Sequence, residues 1–134
     1  MNLPRLSICV LLLALAGAAV AALMSGAPWL ERAVPGGLPA GNAVAALLPV
    51  SLALLGWCIG RPRSLQRRAA ATALVAALAW LPVSIALAGN LALDFSGERG
   101  TAWLGFSAVV MIAVLVALGW GVIDRLLAAW RRGL

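Results

Sequence analysis

The sequence lacks lysine, histidine and tyrosine, and charged residues of any kind are scarce. Only 10% of its 134 residues are charged, whereas a soluble domain has about a quarter. Without histidine the chain has neither a bis-histidine haem site nor an ordinary zinc site. No Asp, Glu or Arg interrupts the long apolar runs, so the charged relays of proton-coupled transporters are missing. We therefore expect no enzymatic activity, no metal and no cofactor.

Apolar residues dominate what is present, at 64% of the chain. A soluble domain of this length has too little interior to bury so much apolar surface. We predict an all-α integral membrane protein, a single domain over residues 1–134. Runs of roughly 20 apolar residues, the length that crosses a bilayer, predict four spans at about residues 6–24, 40–60, 69–92 and 102–122. Thr101 is the expected cap of the fourth helix.

The sequence on either side of these spans predicts short loops and an amphipathic C-terminal extension. Apolar residues at helical spacing follow the fourth span, and arginines lie between them, as in a helix at the inner interface of a membrane. At the other terminus, Arg5 and the segment 19–21 also fit a signal peptide with its cleavage site. The apolar run is longer than a typical signal peptide requires, which favours an uncleaved first helix.

All ten basic residues are arginine, and they are distributed unevenly about the predicted spans. Eight fall on one side, counting Arg5, and only Arg32 and Arg99 fall on the other. Short loops rich in arginine stay in the cytoplasm, so we expect a bacterial inner (plasma) membrane protein with both termini cytoplasmic. Arginines in short caps between spans indicate contacts to anionic lipid rather than to nucleic acid. The residues assigned to topology or lipid head groups are Arg61, Arg63, Arg67, Arg68, Arg125, Arg131 and Arg132.

One internal similarity links the second and third spans. Residues 48–56 and 81–89 both begin with Leu-Pro-Val-Ser and agree at seven of nine positions. A proline inside a helix frees a carbonyl one turn back, here near Ala45 and Leu78, and serine hydroxyls can bond to such a turn. Interrupted helices of this kind line the binding cavities of some transporters; two tolerated kinks are the simpler interpretation. The possible cavity or kink residues are Pro49, Ser51, Trp80, Pro82, Ser84 and Asn90.

Small residues recur every fourth position in several predicted spans. Ala14, Ala18 and Ala22 do so in the first span, and Gly56 and Gly60 form a GxxxG pattern in the second. Such spacing lets helix backbones approach closely. We therefore expect a small non-enzymatic protein that accompanies, assembles or stabilises a larger membrane partner. The alternative is a small homo-oligomeric channel or transporter that uses the proline-kinked helices.

Overall fold

The computed structural model describes residues 3–62 and 64–133, and these residues form an all-α bundle. Helix α1 spans Leu3–Ser25 and is followed by a short 3₁₀ turn, Pro28–Glu31. Helices α2, α3 and α4 span Ala40–Ile59, Leu65–Ala88 and Glu98–Gly133. Each of the four helices is long and apolar enough to cross a membrane. The expected bundle of four membrane helices is confirmed.

Helix α3 begins at Leu65 rather than at residue 69, because the residue before it caps the helix. The Ser64 hydroxyl accepts a hydrogen bond from the Arg67 backbone N–H at 3.1 Å, which satisfies one of the free donors of the first turn. Arg67 and Arg68 therefore belong to the helix and not to the loop. At its other end the helix stops at Gly89, whose φ of 73° is left-handed, a conformation that glycine adopts without strain.

Helix α4 is a single helix of 36 residues. It begins at Glu98, so Thr101 lies inside it and the expected cap at Thr101 was wrong. At 1.5 Å per residue the helix is about 54 Å long, well beyond the roughly 30 Å of a hydrocarbon core. The amphipathic extension was predicted for residues 123–134, and its described part, residues 123–133, is a direct continuation of the fourth membrane helix.

Helix α2 is central, because it packs against α1, the 3₁₀ turn, α3 and α4. The main core lies between α2, α3 and α4 and is built largely from alanine, which allows close packing of the helices. Helix α1 contributes no side chain to that core and packs against α2. The core residues are Ala53, Ala70, Ala73, Ala77, Trp80, Val110, Val114 and Ala117.

The GxxxG pattern of α2 marks contacts within this chain. A Cβ atom placed on Gly56 would lie 3.3 Å from the Cα atom of Leu118 in α4. A Cβ atom on Gly60 would collide with the side-chain oxygen of Gln66 in α3. The absence of a side chain at these two positions lets α4 and the start of α3 close over the end of α2.

The bundle has two chemically different ends. Arg5, residues 60–62 and residues 123–133 lie together at one end, which we call the arginine end. The 3₁₀ turn and the connection 89–97 lie at the other, which we call the far end. The Asn42 side-chain amide donates to the Leu91 carbonyl at 3.0 Å, so α2 is tied to the connection 89–97 there.

Candidate functional site

Two tryptophans and two serines form a polar cluster between α3 and α4, which we call the tryptophan–serine cluster; Trp80 and Ser84 are its buried members. The Trp80 indole N–H donates to the Ser107 hydroxyl at 2.8 Å, from α3 to α4. The Trp103 indole N–H donates to the Ser84 hydroxyl at 3.0 Å, in the opposite direction. Ser84 itself donates to the Trp80 carbonyl at 2.6 Å. The two antiparallel helices thus exchange equivalent hydrogen bonds.

The exchange has a simple origin in the sequence. On both helices tryptophan precedes serine by four residues, in Trp-Leu-Pro-Val-Ser and Trp-Leu-Gly-Phe-Ser, and residues four apart share one face of a helix. When the helices run antiparallel, each tryptophan meets the serine of the other. Sequence reasoning identified Trp80 and Ser84 but neither Ser107 nor Trp103. The repeated spacing is the signal that identifies all four.

Aromatic packing reinforces the cluster. The rings of Trp80 and Trp103 are 6.3 Å apart between centroids and tilted by 48°, within the range for favourable aromatic pairs. Phe95, from the connection 89–97, stacks on Trp103 with centroids 4.8 Å apart. The cluster therefore also anchors the far-end connection onto the bundle.

The structure does not bring the six possible cavity residues together. Pro49 is buried in the bundle, whereas Pro82 is on the exposed face of α3. Ser51 is 2% exposed and donates to the Leu48 carbonyl at 2.9 Å. Asn90 lies in the connection 89–97, where it donates to the Asp94 carbonyl and accepts from its N–H. Pro49 and Trp80 line a common cavity.

That cavity has a volume of about 180 Å³ and lies where all four helices contribute. It includes Ala45, the residue whose carbonyl loses its usual donor because Pro49 has no N–H. Its walls are mainly apolar, and the one hydroxyl in them, that of Ser107, already accepts from Trp80. The lining residues are Leu23, Ala45, Leu48, Pro49, Trp80, Ser107, Val110 and Met111.

At the arginine end, side chains from three helices bond to the last carbonyls of α2. Arg5 of α1 donates to Gly60 at 3.1 Å, and Arg125 of α4 donates to Ile59 at 2.8 Å. The last carbonyls of a helix have no partner within it, so these donors satisfy groups that would otherwise need water. Arg125, assigned from sequence to topology or lipid, therefore also fastens α4 to α2.

Gln66 of α3 completes this arrangement. Its amide nitrogen donates to the Gly56 carbonyl of α2 at 3.1 Å and to the Ala117 carbonyl of α4 at 3.0 Å. The side chain is 2% exposed, and its oxygen has no hydrogen-bond partner among the described residues. Sequence reasoning missed this residue because it lies among arginines in the predicted loop between the second and third spans.

The other assigned arginines have different surroundings. The Arg67 guanidinium lies 4.3 Å from the ring centre of Trp57, a cation–π contact within the chain. Arg61 pairs with Asp124 at 3.6 Å, with both side chains well exposed. Arg68, Arg131 and Arg132 are exposed, and Arg63 lies outside the described residues.

A polar groove opens at the arginine end between Arg61 and residues 124–132 of α4. Its volume is about 420 Å³. Four arginines and one aspartate give it a net formal charge of +3, with Leu127 and Ala128 as its apolar part. The charged residues of this groove, called the arginine groove below, are Arg61, Asp124, Arg125, Arg131 and Arg132.

The described residues do not bring three Cys, Asp or Glu side chains together as a metal site requires. Cys9 and Cys58 are free thiols, the first of them buried. Comparison of the chain with protein-family models, with curated proteins and with solved structures found no match.

Proposed function

We propose that this protein is a non-enzymatic membrane module that binds, assembles or stabilises a larger membrane protein. The supporting observation is the outer face of α1. Ala14, Gly17, Ala18 and Ala21 are all exposed on this helix, and positions three, four and seven apart lie on one face. Helix α1 packs against α2 and stays outside the main core, so this face is available to another helix.

The chemistry of the bilayer explains why such a face suits a helical partner. Lipid tails are as apolar as leucine, so membrane helices associate through close packing and not through a hydrophobic effect. A strip of Ala and Gly allows a second backbone to come close along several turns. No atom of the described residues outside the local helix lies within 4 Å of a Cβ built on Gly17, so residues 3–62 and 64–133 leave the position of the partner open.

The alternative, a small homo-oligomeric channel or transporter, has less support. It requires Pro49 and Pro82 to face one conducting cavity, and Pro82 is on the exposed face of α3. The buried serines and indoles bond to each other and to backbone carbonyls. Such mutual bonding suits a packed interior better than a site that exchanges its partners for an ion or solute.

The proposal also includes the membrane in which the protein lies and the orientation of its termini. The four apolar helices indicate a membrane location. The eight-to-two distribution of arginines supports the bacterial inner membrane with both termini in the cytoplasm.

The test adds large side chains to the outer face of α1 and compares the result with the same change on an exposed face of α4. In the Ala14→Leu, Gly17→Leu double variant we expect the partner to be lost when the protein is purified in mild detergent. The Gly105→Leu, Ala108→Leu double variant adds the same atoms at the same spacing to an exposed face of α4, and it should keep the partner. Equal retention by both variants, at equal abundance, would contradict the proposal.

A further inference from the structure

The arginine groove has a more defined geometry than a general basic surface. Its residues come from two parts of the chain, Arg61 from the connection 60–64 and the others from α4. Arg125 and Arg132 are seven residues apart, as are Asp124 and Arg131, so both pairs recur on one side of α4. The groove therefore has guanidinium groups on two walls, the arrangement that holds a tetrahedral oxyanion by several hydrogen bonds.

The opposite side of the same segment is apolar. Ile123, Leu126 and Trp130 are 58%, 64% and 67% exposed. These residues continue the exposed apolar face of α4 that includes Val109, Ile112 and Val116. A membrane helix whose outer face stays apolar up to a tryptophan keeps that face in lipid as far as the interface. The arginine groove on its other side then lies at the depth of the lipid head groups.

From this combination we propose that the arginine groove binds the phosphate of an anionic phospholipid head group. The guanidinium groups hold the phosphate, and Leu127, which lines the groove and is partly exposed, contacts the adjacent part of the lipid. Asp124 lies in the same groove, 3.6 Å from Arg61, and lowers its positive charge. Asp124 therefore opposes binding of an anion and limits the affinity of the groove for the phosphate.

The test uses full-length protein in vesicles of phosphatidylglycerol mixed with phosphatidylcholine. After gentle extraction, native mass spectrometry measures the ratio of the two lipids that remain bound. A groove arginine that donates a hydrogen bond to the phosphate contributes roughly 1 kcal/mol or more, so Arg131→Gln should lower the retained phosphatidylglycerol at least about fivefold. Asp124→Asn should raise it several-fold, because the negative charge leaves while the size stays the same.

Arg68→Gln is the matched control, since it removes one exposed arginine from the first turn of α3, outside the groove. It should leave the lipid ratio nearly unchanged. Equal losses from Arg68→Gln and Arg131→Gln would mean that only total charge matters and would overturn the proposal. No gain from Asp124→Asn would also overturn it.

A second arm separates a lipid phosphate from a free one. The protein is placed in phosphatidylcholine alone and given inorganic phosphate. We expect no binding that depends on Arg131 and Asp124 under these conditions. Phosphate binding that is lost in Arg131→Gln and strengthened in Asp124→Asn would assign the groove to a soluble phosphate compound instead.

Discussion

Individual polar residues in this bundle form hydrogen bonds between helices. A hydropathy profile shows the same residues only as isolated polar positions in apolar segments. Ser84 is completely buried, yet it accepts from Trp103 and donates to Trp80. Gln66 similarly bonds to carbonyls of α2 and α4 from α3. A polar group in hydrocarbon is costly unless it finds a partner, so such pairs favour one arrangement of helices over others that would leave these groups unbonded.

The pairing of Ser84 with Trp103 predicts measurable coupling. Ser84→Ala and Trp103→Phe each remove one end of the same hydrogen bond, so the double variant should lose less stability than the sum of the single ones. Interhelical hydrogen bonds in membranes contribute about 0.6 kcal/mol on average and up to about 1.7 kcal/mol. Unfolding of the purified protein in mixed micelles, over the four members of the cycle, gives the coupling energy.

A second cycle provides the control for this measurement. Trp120 is 41% exposed on α4, and Ser84→Ala combined with Trp120→Phe should be additive. Coupling of the same size in both cycles would show that loss of any tryptophan destabilises the bundle. The coupling could then not be attributed to the hydrogen bond between Trp103 and Ser84.

At the scale of the helices, length and composition predicted the four spans, whereas local hydrogen bonding set their ends. A helix can include charged residues when its first turn is capped. The apolar run of α3 therefore did not indicate that the helix begins directly after its cap, Ser64. Helix α4 likewise continues through Arg125 and Arg131 to Gly133. Hydropathy marks where a chain can contact lipid, and a helix continues for as long as its backbone bonds allow.

The tryptophan–serine cluster was predictable only in part, for a related reason. Trp80 and Ser84 were identified through the repeated Leu-Pro-Val-Ser segment, which pairs α2 with α3. The bonds actually run between α3 and α4, and each depends on how two helices are rotated against each other. A single sequence contains the spacing of Trp103 and Ser107 but not that rotation.

The two prolines, equivalent in sequence, are predicted to behave differently. Pro82 is on the exposed face of α3, so Pro82→Ala restores a backbone hydrogen bond to Leu78 and removes little packing. Pro49 is buried beside the cavity of about 180 Å³, so Pro49→Ala also removes ring atoms from the interior. We expect Pro82→Ala to be at least as stable as the natural protein. Pro49→Ala should be less stable than Pro82→Ala by about 1–2 kcal/mol, the lower range for a buried truncation.

Unfolding in the same micelles ranks these two variants, and a reversed order would contradict the assignment of the buried face. The Pro49→Ala protein also bears on the channel alternative, because it returns a donor to the Ala45 carbonyl. Loss of cellular function in this variant at normal abundance would favour a cavity that uses that carbonyl. Full function would leave the helix faces as the working surface.

For the whole molecule, the arginines have two roles that a charge count cannot separate. Arg5 and Arg125 bond to the last carbonyls of α2 and thereby join α1 and α4 to it. Other arginines, such as Arg131 and Arg132, are exposed and line the arginine groove. Orientation and assembly are consequently linked at the arginine end, since a change that neutralises the bonded arginines also loosens the bundle.

The orientation itself is tested with exposed positions that leave these bonds intact. In a background with Cys9→Ala and Cys58→Ala, we place single cysteines as Arg68→Cys, Gly133→Cys and Ser96→Cys, all at exposed positions. A membrane-impermeant thiol reagent added to whole cells should label only Ser96→Cys, because arginine-rich segments stay in the cytoplasm. After the membrane is opened, all three should react, which shows that each thiol is accessible. Labelling of both Arg68→Cys and Gly133→Cys from outside would mean that the orientation is reversed and that the arginine groove lies against the outer leaflet. Labelling of only one of them would mean that the two positions lie on different sides of the membrane. That result would contradict the hydrogen bonds of Arg5 and Arg125, which require these segments to lie at the same end of the bundle.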